Sequence, residues 1–217
     1  MSLPNFVRAD LRFLLPVQAE QEVAILGYVP ELIETIVAAS AHCTLLLADT
    51  AARLSQALPV CDRKQITGEI LPLSSSSMDH FFIPQLASAV ASWLVPEATR
   101  VLRPGGWLFL GVHNRFSLYQ VRLRQRSDLA LTLNSLKGLF PADQWQNIEC
   151  YGVHEDLQFP QYLVSLATPG MSQYFYDQIV IPHSQVAAWG QRLALYLSQI
   201  GGQRFLFRDL GLVAQRL

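Results

Sequence analysis

Residues 97–110 read EATRVLRPGGWLFL, and this stretch decides the fold. Its first part continues an apolar helical pattern that begins at Leu86, and the pattern predicts a helix over Leu86–Leu102 with a break at Pro96. Residues 103–106 (RPGG) predict a helix stop followed by a turn. The next apolar run, Trp107–Val112, predicts a buried strand. The stretch is therefore a helix, a turn and a strand in direct succession.

Strands and helices alternate on the amino-terminal side of this stretch. The pattern predicts strands at Val23–Leu26, Thr44–Ala48, His80–Ile83 and, weakly, around Ile66, with helices from Pro30 and over Ala51–Leu58. Alternation over about 100 residues favours a parallel sheet covered by helices on both faces. The carboxyl-terminal half is less regular. There the pattern predicts helices at Phe116–Arg126, Leu129–Phe140 and after Ser184, and strands at Ile148–Val153, Tyr162–Ala167 and Arg204–Ala214.

Composition and length predict one globular domain over residues 1–217, with a cap at 1–22 and a late helical insertion or lid at 169–200. Hydrophobic residues make up 51% of the chain and charged residues 15%, which excludes a disordered segment. The net charge of −1 supplies no broad basic face, so a general nucleic-acid binder is excluded as well. A chain so poor in charge is expected either to bury an unusually large share of itself or to cover apolar surface with a homodimer partner, another protein or an apolar ligand.

The three cysteines and the amino terminus bear on location. Cys43, Cys61 and Cys150 are odd in number and far apart, so neither a disulfide framework nor a metal site is expected. The apolar runs are too short to span a membrane, and residues 1–10 lack the apolar core of a secretion signal. A cytoplasmic protein is the resulting expectation.

Polar or glycine residues follow three predicted strands, where ligands of open parallel sheets bind. These are Gly27 after the first strand, Asp49 after the second and Pro84–Gln85 after the fourth. Asp49 follows Gly27 by 22 residues, a spacing that lets a carboxylate reach the ribose hydroxyls of a nucleotide over the neighbouring strand. Asp49 is equally suited to capping the predicted helix that follows it, and both interpretations stay open.

Two segments carry a resemblance to a known family. Residues 97–110 resemble the EAARVLRPGGxL segment of class I S-adenosylmethionine (SAM)-dependent methyltransferases. Residues 71–81 (LPLSSSSMDHF) resemble the same family's LPFxxxSFDxV loop, at the expected separation. The resemblance implies a doubly wound, mostly parallel, Rossmann-like α/β sheet with an antiparallel last strand. It also implies SAM as the cofactor and Asp49 as the residue that holds the SAM ribose.

The family's glycine loop, roughly LGxGxG, is altered in this chain to LGYVPE over residues 26–31, so only Gly27 remains of its glycines. The family's acidic residue near the adenine falls on Thr67, with Glu69 two positions away. Either SAM occupies an altered pocket or the domain keeps the fold without the cofactor. If SAM binds, the resemblance assigns it the following residues: Gly27, Tyr28, Asp49, Thr50, Thr67, Gly68 and Pro84.

The segment after the fifth strand supplies the candidate catalytic residue. His113 stands at the strand end, where a neutral imidazole can take a proton from an acceptor hydroxyl, although a hydrogen-bonded loop histidine is an equally open interpretation. Asn114, Arg115 and Tyr119 are the candidate substrate-binding residues. The resemblance therefore predicts methyl transfer to a small or lipid-like acceptor. The alternative is a methyltransferase-like scaffold or binding protein, a pseudoenzyme that has lost SAM.

Overall fold

A computed structural model of the chain describes residues 14–39, 41–47, 61–117, 131–154, 157, 160–182 and 184–217. Within these residues one eight-stranded sheet runs in the order β3-β2-β1-β4-β5-β8-β6-β7. Its strands are β1 (Glu22–Leu26), β2 (His42–Leu47), β3 (Asp62–Gln65), β4 (Met78–Ile83), β5 (Leu102–His113), β6 (Trp145–His154), β7 (Tyr162–Ser165) and β8 (Asp209–Arg216). Strands β1 to β5 are parallel, whereas β8 lies antiparallel between β5 and β6. The predicted doubly wound sheet with an antiparallel last strand is confirmed.

Five α-helices accompany the sheet in the described part of the chain. They are α1 (Pro30–Ala38), α2 (Ser88–Val101), α3 (Leu133–Gly138), α4 (Pro169–Tyr174) and α5 (Gln185–Gln199), with a π-helical turn at Phe175–Ile179 and a 3-10 turn at Gln203–Phe205. The predicted helix Ala51–Leu58 lies outside the described residues. So do residues 118–126 of the predicted helix Phe116–Arg126. The predicted helix Leu129–Phe140 is shortened to α3. No helix among the residues described is long and apolar enough to cross a membrane.

Alternation along the central strands divides the core into two layers. Val23 and Ile25 of β1 pack on the layer that contains α1, whereas Ala24 between them packs on the layer that contains α2. Phe81 and Phe82 of β4 divide between the two layers in the same way. Because successive side chains of a strand point to opposite faces, a strand buried on both faces reads as a continuous apolar run.

The predicted helix break at Pro96 is wrong, because α2 runs unbroken through it. Pro96 has no N–H, so the carbonyl of Ser92 lacks its usual donor within the helix. Both residues are on the exposed side of the helix, where water can replace that donor. On the opposite side Leu94 and Ala98 are fully buried in the core. Packing of the buried side outweighs one missing hydrogen bond.

Two charged residues of the 97–110 segment, Glu97 and Arg100, hold the loop at residues 71–73 by hydrogen bonds. Glu97 Oε2 accepts a hydrogen bond from the Leu71 amide at 2.8 Å. Arg100 donates to Glu97 and to the carbonyls of Leu71 and Leu73, at 3.1 and 2.9 Å for the two carbonyls. The hydrogen bond from Arg100 holds the pKa of Glu97 below its usual value. These residues satisfy backbone groups that would otherwise lie buried without partners.

A second contact joins the same two segments at the amino-terminal edge of the sheet. Arg103 donates to both carboxylate oxygens of Asp79 at 2.7 Å, and Asp79 also accepts from the amide of Glu22. Residues 103–106, predicted as a stop and turn, form a bulge inside β5, with Leu102 opposite Met78 and Trp107 opposite His80. The two sequence segments that carry the family resemblance are therefore bonded to each other.

The buried His80 makes unfolding sensitive to mild acid. Its side chain is 1% exposed, and its Nε2 lies 2.8 Å from Gln21 Oε1. Burial lowers the pKa of His80 to about 4, although Asp79 opposes the shift. The unfolded chain then binds the proton more readily than the folded one, so stability is full above pH about 6.5 and is lost as the pH falls towards 4.

We expect the free energy of unfolding in urea to fall by about 3 kcal/mol between pH 6.5 and 4 through this group. In His80→Gln that part of the pH dependence should vanish. His42→Gln, which removes an exposed histidine, is the matched control and should keep the wild-type slope. An unchanged slope in His80→Gln would contradict the prediction.

Candidate functional site

The carboxyl-terminal edge of the sheet brings several predicted residues together. β1 ends before Gly27, β4 ends before Pro84, and β5 ends at His113. β8 runs in the opposite direction, so its first residue, Asp209, lies at the same edge and pairs with His113. Asp49, Thr50 and Tyr119 lie outside the described residues, although β2 ends at Leu47, just before the first of them.

The loop after β1 is short and closes directly into α1. Gly27 has φ +89°, a conformation that favours glycine, and a Cβ built there would meet nothing within 4 Å. Val29 has φ −127° and is buried against the α1 layer, so the position where the family has its second glycine carries no strain here. Pro30 then begins the helix and Glu31 is exposed in its first turn.

The amino terminus of α1 lies directly after Gly27. The helix has no side-chain cap, and its first intrahelical bond comes from the Ile33 amide to the Val29 carbonyl at 3.1 Å. The amides before Ile33 have no carbonyl partner within the helix, and such donors favour an anionic group. The open side of Gly27 and these donors fit the carboxylate end of SAM, whereas the Glu31 carboxylate opposes it.

Thr67 and Gly68 lie in an exposed tight turn after β3. Thr67 forms an isolated bridge with Ile70, and Gly68 has φ +77°. Glu69 is exposed in the same turn, and Leu71 beyond it is buried. The turn follows the carboxyl end of β3. Gly27, Pro84 and His113 lie at the carboxyl ends of their strands too, at the same edge of the sheet.

His113 is held between two side chains at the sheet edge. Its Nδ1 lies 2.5 Å from Oδ1 of Asp209, and its Nε2 lies 2.7 Å from the side-chain nitrogen of Gln85. The carboxylate accepts from Nδ1–H, so Nε2 carries the lone pair and accepts from the Gln85 amide. This arrangement fixes the neutral tautomer in which Nε2 can act as a base.

Asp209 is the partner that the sequence did not reveal. It is fully buried, and Nε of Arg208 lies 4.0 Å from its second carboxylate oxygen. A buried carboxylate next to an imidazole stabilises positive charge on the ring. Asp209 is 96 residues from His113, and the expected antiparallel last strand was the signal that could have placed its first residue beside the end of β5.

Glycine in β5 seats the loop that carries Gln85. The Leu86 amide donates to the Gly111 carbonyl at 2.7 Å. A Cβ at Gly111 would lie 2.2 Å from the carbonyl oxygen of Pro84, which is buried. The close approach of the two backbones therefore fixes the position of Pro84, and with it the position from which Gln85 meets His113.

Asn114 and Arg115 have different surroundings. Asn114 is 2% exposed; its amide nitrogen donates to the carbonyls of Arg204 and Phe207, at 2.7 and 2.9 Å, and its oxygen accepts from the Phe116 amide. It thereby ties the end of β5 to the segment before β8. Arg115 is exposed, with its backbone amide bonded to Leu131.

The insertion at 169–200 is helical and forms no strand of the sheet. Phe175 anchors it by ring contacts with His154 at 5.1 Å, Tyr162 at 5.3 Å and Phe207 at 6.1 Å. His154 ends β6 and Tyr162 begins β7, so the insertion packs near the same carboxyl-terminal edge as His113.

Comparison with known proteins finds relatives by structure alone, since neither a protein-family model nor a curated sequence matches the chain. A SAM-dependent methyltransferase from Archaeoglobus fulgidus superposes with a TM-score of 0.62 at 11% identity, over 94% of this chain and 90% of that one. The fold is that of the class I methyltransferases.

Two further solved structures with this class I methyltransferase fold are similar. Phosphoethanolamine N-methyltransferase 2 from Haemonchus contortus, solved with SAM, gives a TM-score of 0.58 at 11% identity over 95% of this chain and 51% of that one. A complex of the Haloferax volcanii Trm112 methyltransferase activator with a methyltransferase gives 0.55 at 15% identity over 92% and 84%. At such identities the likeness shows the class I fold, and the chemistry must be argued from the site.

Proposed function

We propose that the protein binds SAM and transfers its methyl group to a hydroxyl of a small or lipid-like acceptor, with His113 as general base. The observation that carries this proposal is the hydrogen-bonded set of Gln85, His113 and Asp209 at the carboxyl-terminal edge of the sheet. The Asp209 carboxylate and the Gln85 side chain together orient the imidazole at the sheet edge where open parallel sheets bind ligands.

SAM supplies an electrophilic methyl group on a sulfonium when bound. The residues proposed to hold it are those the resemblance assigned at the tips of β1, β2, β3 and β4: Gly27, Tyr28, Asp49, Thr50, Thr67, Gly68 and Pro84. Support comes from the positive φ of Gly27, the open space beside it and the start of α1 directly after this loop.

His113 would act on the acceptor. Gln85 would first turn its amide away from Nε2 and donate to the acceptor oxygen. Nε2 would then take the hydroxyl proton as that oxygen bonds to the methyl carbon and the carbon–sulfur bond breaks, with the demethylated thioether as leaving group. The carboxylate of Asp209 would stabilise the resulting imidazolium. Asn114 acts by fixing the neighbouring segment, and Arg115 offers a charge for an acidic group on the acceptor; Tyr119 remains a candidate contact.

Asp49 supplies the direct test of cofactor binding. Loss of a carboxylate that bonds two ribose hydroxyls removes charge-assisted hydrogen bonds of about 1.5–3 kcal/mol each. We expect Asp49→Ala to weaken SAM binding in calorimetry by roughly tenfold to a few hundredfold. Asp62→Ala is the control, because it removes an exposed carboxylate at the first residue of β3, at the opposite edge of the sheet from the predicted site.

Equal SAM affinity in wild type and Asp49→Ala would overturn the ribose assignment and leave Asp49 as a helix cap. A wild-type protein that binds neither SAM nor its demethylated product would favour the alternative, a methyltransferase-like scaffold. The departure of residues 29–31 from the family's glycine loop is the observation in favour of that alternative.

The outer face of α5 supports a protein partner, for which we propose a second copy of this chain. Its exposed side chains recur at a 4-3-4 spacing, the pattern of a helix-pairing seam: Trp189, Leu193, Tyr196 and Ile200, between 51% and 70% exposed. The inner face is made of Ala194 and Ser198, and Gln191 donates to the carbonyls of Tyr176 and Val180.

Charge and area favour self-association through this face. Arg192 is the sole charged residue in the α5 sequence, so the seam is nearly neutral and two copies can meet without repulsion. Met171, Tyr174 and Ile181 add exposed apolar area in the same insertion. A stable interface buries about 800 Å² per partner, and these exposed side chains would supply its apolar centre.

We expect wild-type protein to be a dimer in sedimentation equilibrium and Leu193→Asp to be a monomer, because a desolvated carboxylate in the seam opposes pairing. Ile70→Asp places the same charge at an exposed isoleucine outside α5 and should remain dimeric. A monomeric wild type would contradict the proposal.

A further inference from the structure

An apolar cleft lies around segments that Asn114 holds together, and Asn114 follows the proposed general base in the chain. Its volume is about 320 Å³. The lining comes from the end of β5, the start of α3 and the 3-10 turn, and consists of Phe116, Thr132, Leu133, Asn134, Arg204 and Phe205. Three separate parts of the chain thus form one small concave surface.

Backbone contacts through Asn114 hold these parts in place. The buried Asn114 amide donates to the Arg204 carbonyl and accepts from the Phe116 amide, which links two walls of the cleft. The third wall follows from the bridge between Asn114 and Leu131, one residue before Thr132. The cleft is therefore preformed, which favours ligand binding.

The lining selects an apolar ring. Phe116 and Phe205 face each other edge to face, with ring centroids 6.5 Å apart, and Phe116 is 53% exposed. Leu133 adds an aliphatic surface, and the Thr132 hydroxyl is engaged by the amide of Ser135. Exposed aromatic rings around a concave surface gain most from a ligand that covers them.

One charge accompanies this apolar lining. Among the lining residues that the structure describes, Arg204 is the only charged one, and its guanidinium carbon lies 4.8 Å from the centroid of the Phe205 ring. Stacking on the ring orients a guanidinium while leaving its edge donors available for an anion. The cleft thus matches a molecule with an apolar body and one negatively charged group.

We infer that this cleft binds the acceptor, and that the acceptor is an aryl or cyclic anion of one or two rings whose carboxylate or sulfonate pairs with Arg204. The role as acceptor site rests on the proposed function; the ligand class rests on the cleft alone. Its volume of about 320 Å³ is at the lower end of small-molecule pockets and matches one or two rings. Phe116 is three residues from His113 in the chain, which supports placing the acceptor in this cleft.

Two fluorescent probes with similar rings test the ligand class. Anilinonaphthalene sulfonate carries the anionic group, and N-phenyl-1-naphthylamine lacks it. We expect the sulfonate to bind wild type at least tenfold more tightly, and Arg204→Met to remove that difference by weakening the sulfonate alone. Phe116→Asp should weaken both probes at least tenfold, with Leu133→Ser as a second variant. Leu217→Ala, at an exposed leucine beyond β8 and outside the cleft, is the control and should leave the Arg204-dependent difference unchanged.

Competition gives a second arm. Benzoate should displace the sulfonate probe, whereas benzylamine, of similar size and opposite charge, should not. Unchanged binding of both probes in Phe116→Asp and Leu133→Ser would overturn the cleft as a site. An equal effect of Arg204→Met on both probes would overturn the anionic class.

SAM calorimetry on the same samples separates this inference from the proposed function. Probe binding that follows the expected pattern in a protein without SAM affinity would refute the methyltransferase proposal and leave the cleft as a binding site. If SAM binds but the cleft variants leave the binding of both probes unchanged, the cleft is refuted as a binding site and the proposed function stands.

Discussion

Asp209→Asn is expected to lower the rate of methyl transfer about 10²–10⁴-fold while leaving SAM affinity unchanged. The carboxylate accepts the Nδ1–H bond that keeps Nε2 of His113 unprotonated, and an amide of the same shape can donate to Nδ1 instead. The ring then presents Nε2–H towards Gln85, and the base is lost. Asp209 acts through His113 and is a positioning residue.

Two readouts test this expectation. The first is incorporation of labelled methyl from SAM into an acceptor found among ring-sized hydroxy acids, measured as a function of pH. The second needs no acceptor: the nitrogen chemical shifts of His113 should report Nδ1–H in wild type and a changed tautomer in Asp209→Asn. Asp79→Asn, at the opposite edge of the sheet, should alter neither. Wild-type shifts and rates in Asp209→Asn would remove Asp209 from the site.

Gly111→Ala is expected to reduce the free energy of unfolding by about 3 kcal/mol or more, since overpacking at backbone contacts is costly. The added Cβ would lie 2.2 Å from the Pro84 carbonyl oxygen and 2.7 Å from a Leu157 methyl carbon. Relief of the overlap must move the loop that carries Gln85, so the contact of Gln85 with His113 should also be lost.

Gly190→Ala is the matched control in the same chain. Gly190 lies inside α5, and a Cβ there would meet nothing within 4 Å among the residues described. Alanine should stabilise that helix by about 0.5–1 kcal/mol. Urea unfolding of the two variants compares them directly, and equal stabilities would show that the backbone of β4 is free to move away from β5.

The sequence predicted the class I fold because the residues that signal it also bond to one another locally. Glu97 and Arg100 satisfy the loop at Leu71 and Leu73, and Arg103 pairs with Asp79. Such contacts constrain residue types at fixed spacing, so they leave a readable pattern. Strands buried on both faces likewise appear as apolar runs.

The site was predicted in part. His113 and Pro84–Gln85 were found from their places after apolar strands, whereas Asp209 was not, and the contact between Gln85 and His113 was not predicted. Asn114, expected to contact substrate, has its amide in backbone bonds that shape the cleft instead. The exposure of Trp189 and Leu193 was also beyond the pattern, because periodicity shows that a helix has an apolar face without showing what that face meets.

The sequence by itself determined the alternation of elements, the strand ends and the positions where backbone conformation needs glycine, as at Gly27. These depend on neighbours in the chain, within which hydrophobic periodicity and local hydrogen bonds operate. Only the tertiary structure decided that Asp209 lies under His113 and that Arg204 stands beside Phe116. The two residues of each pair are 96 and 88 residues apart in the chain. They meet because β8 lies antiparallel to β5 in the sheet. A pairing of segments so distant leaves no local pattern in the sequence.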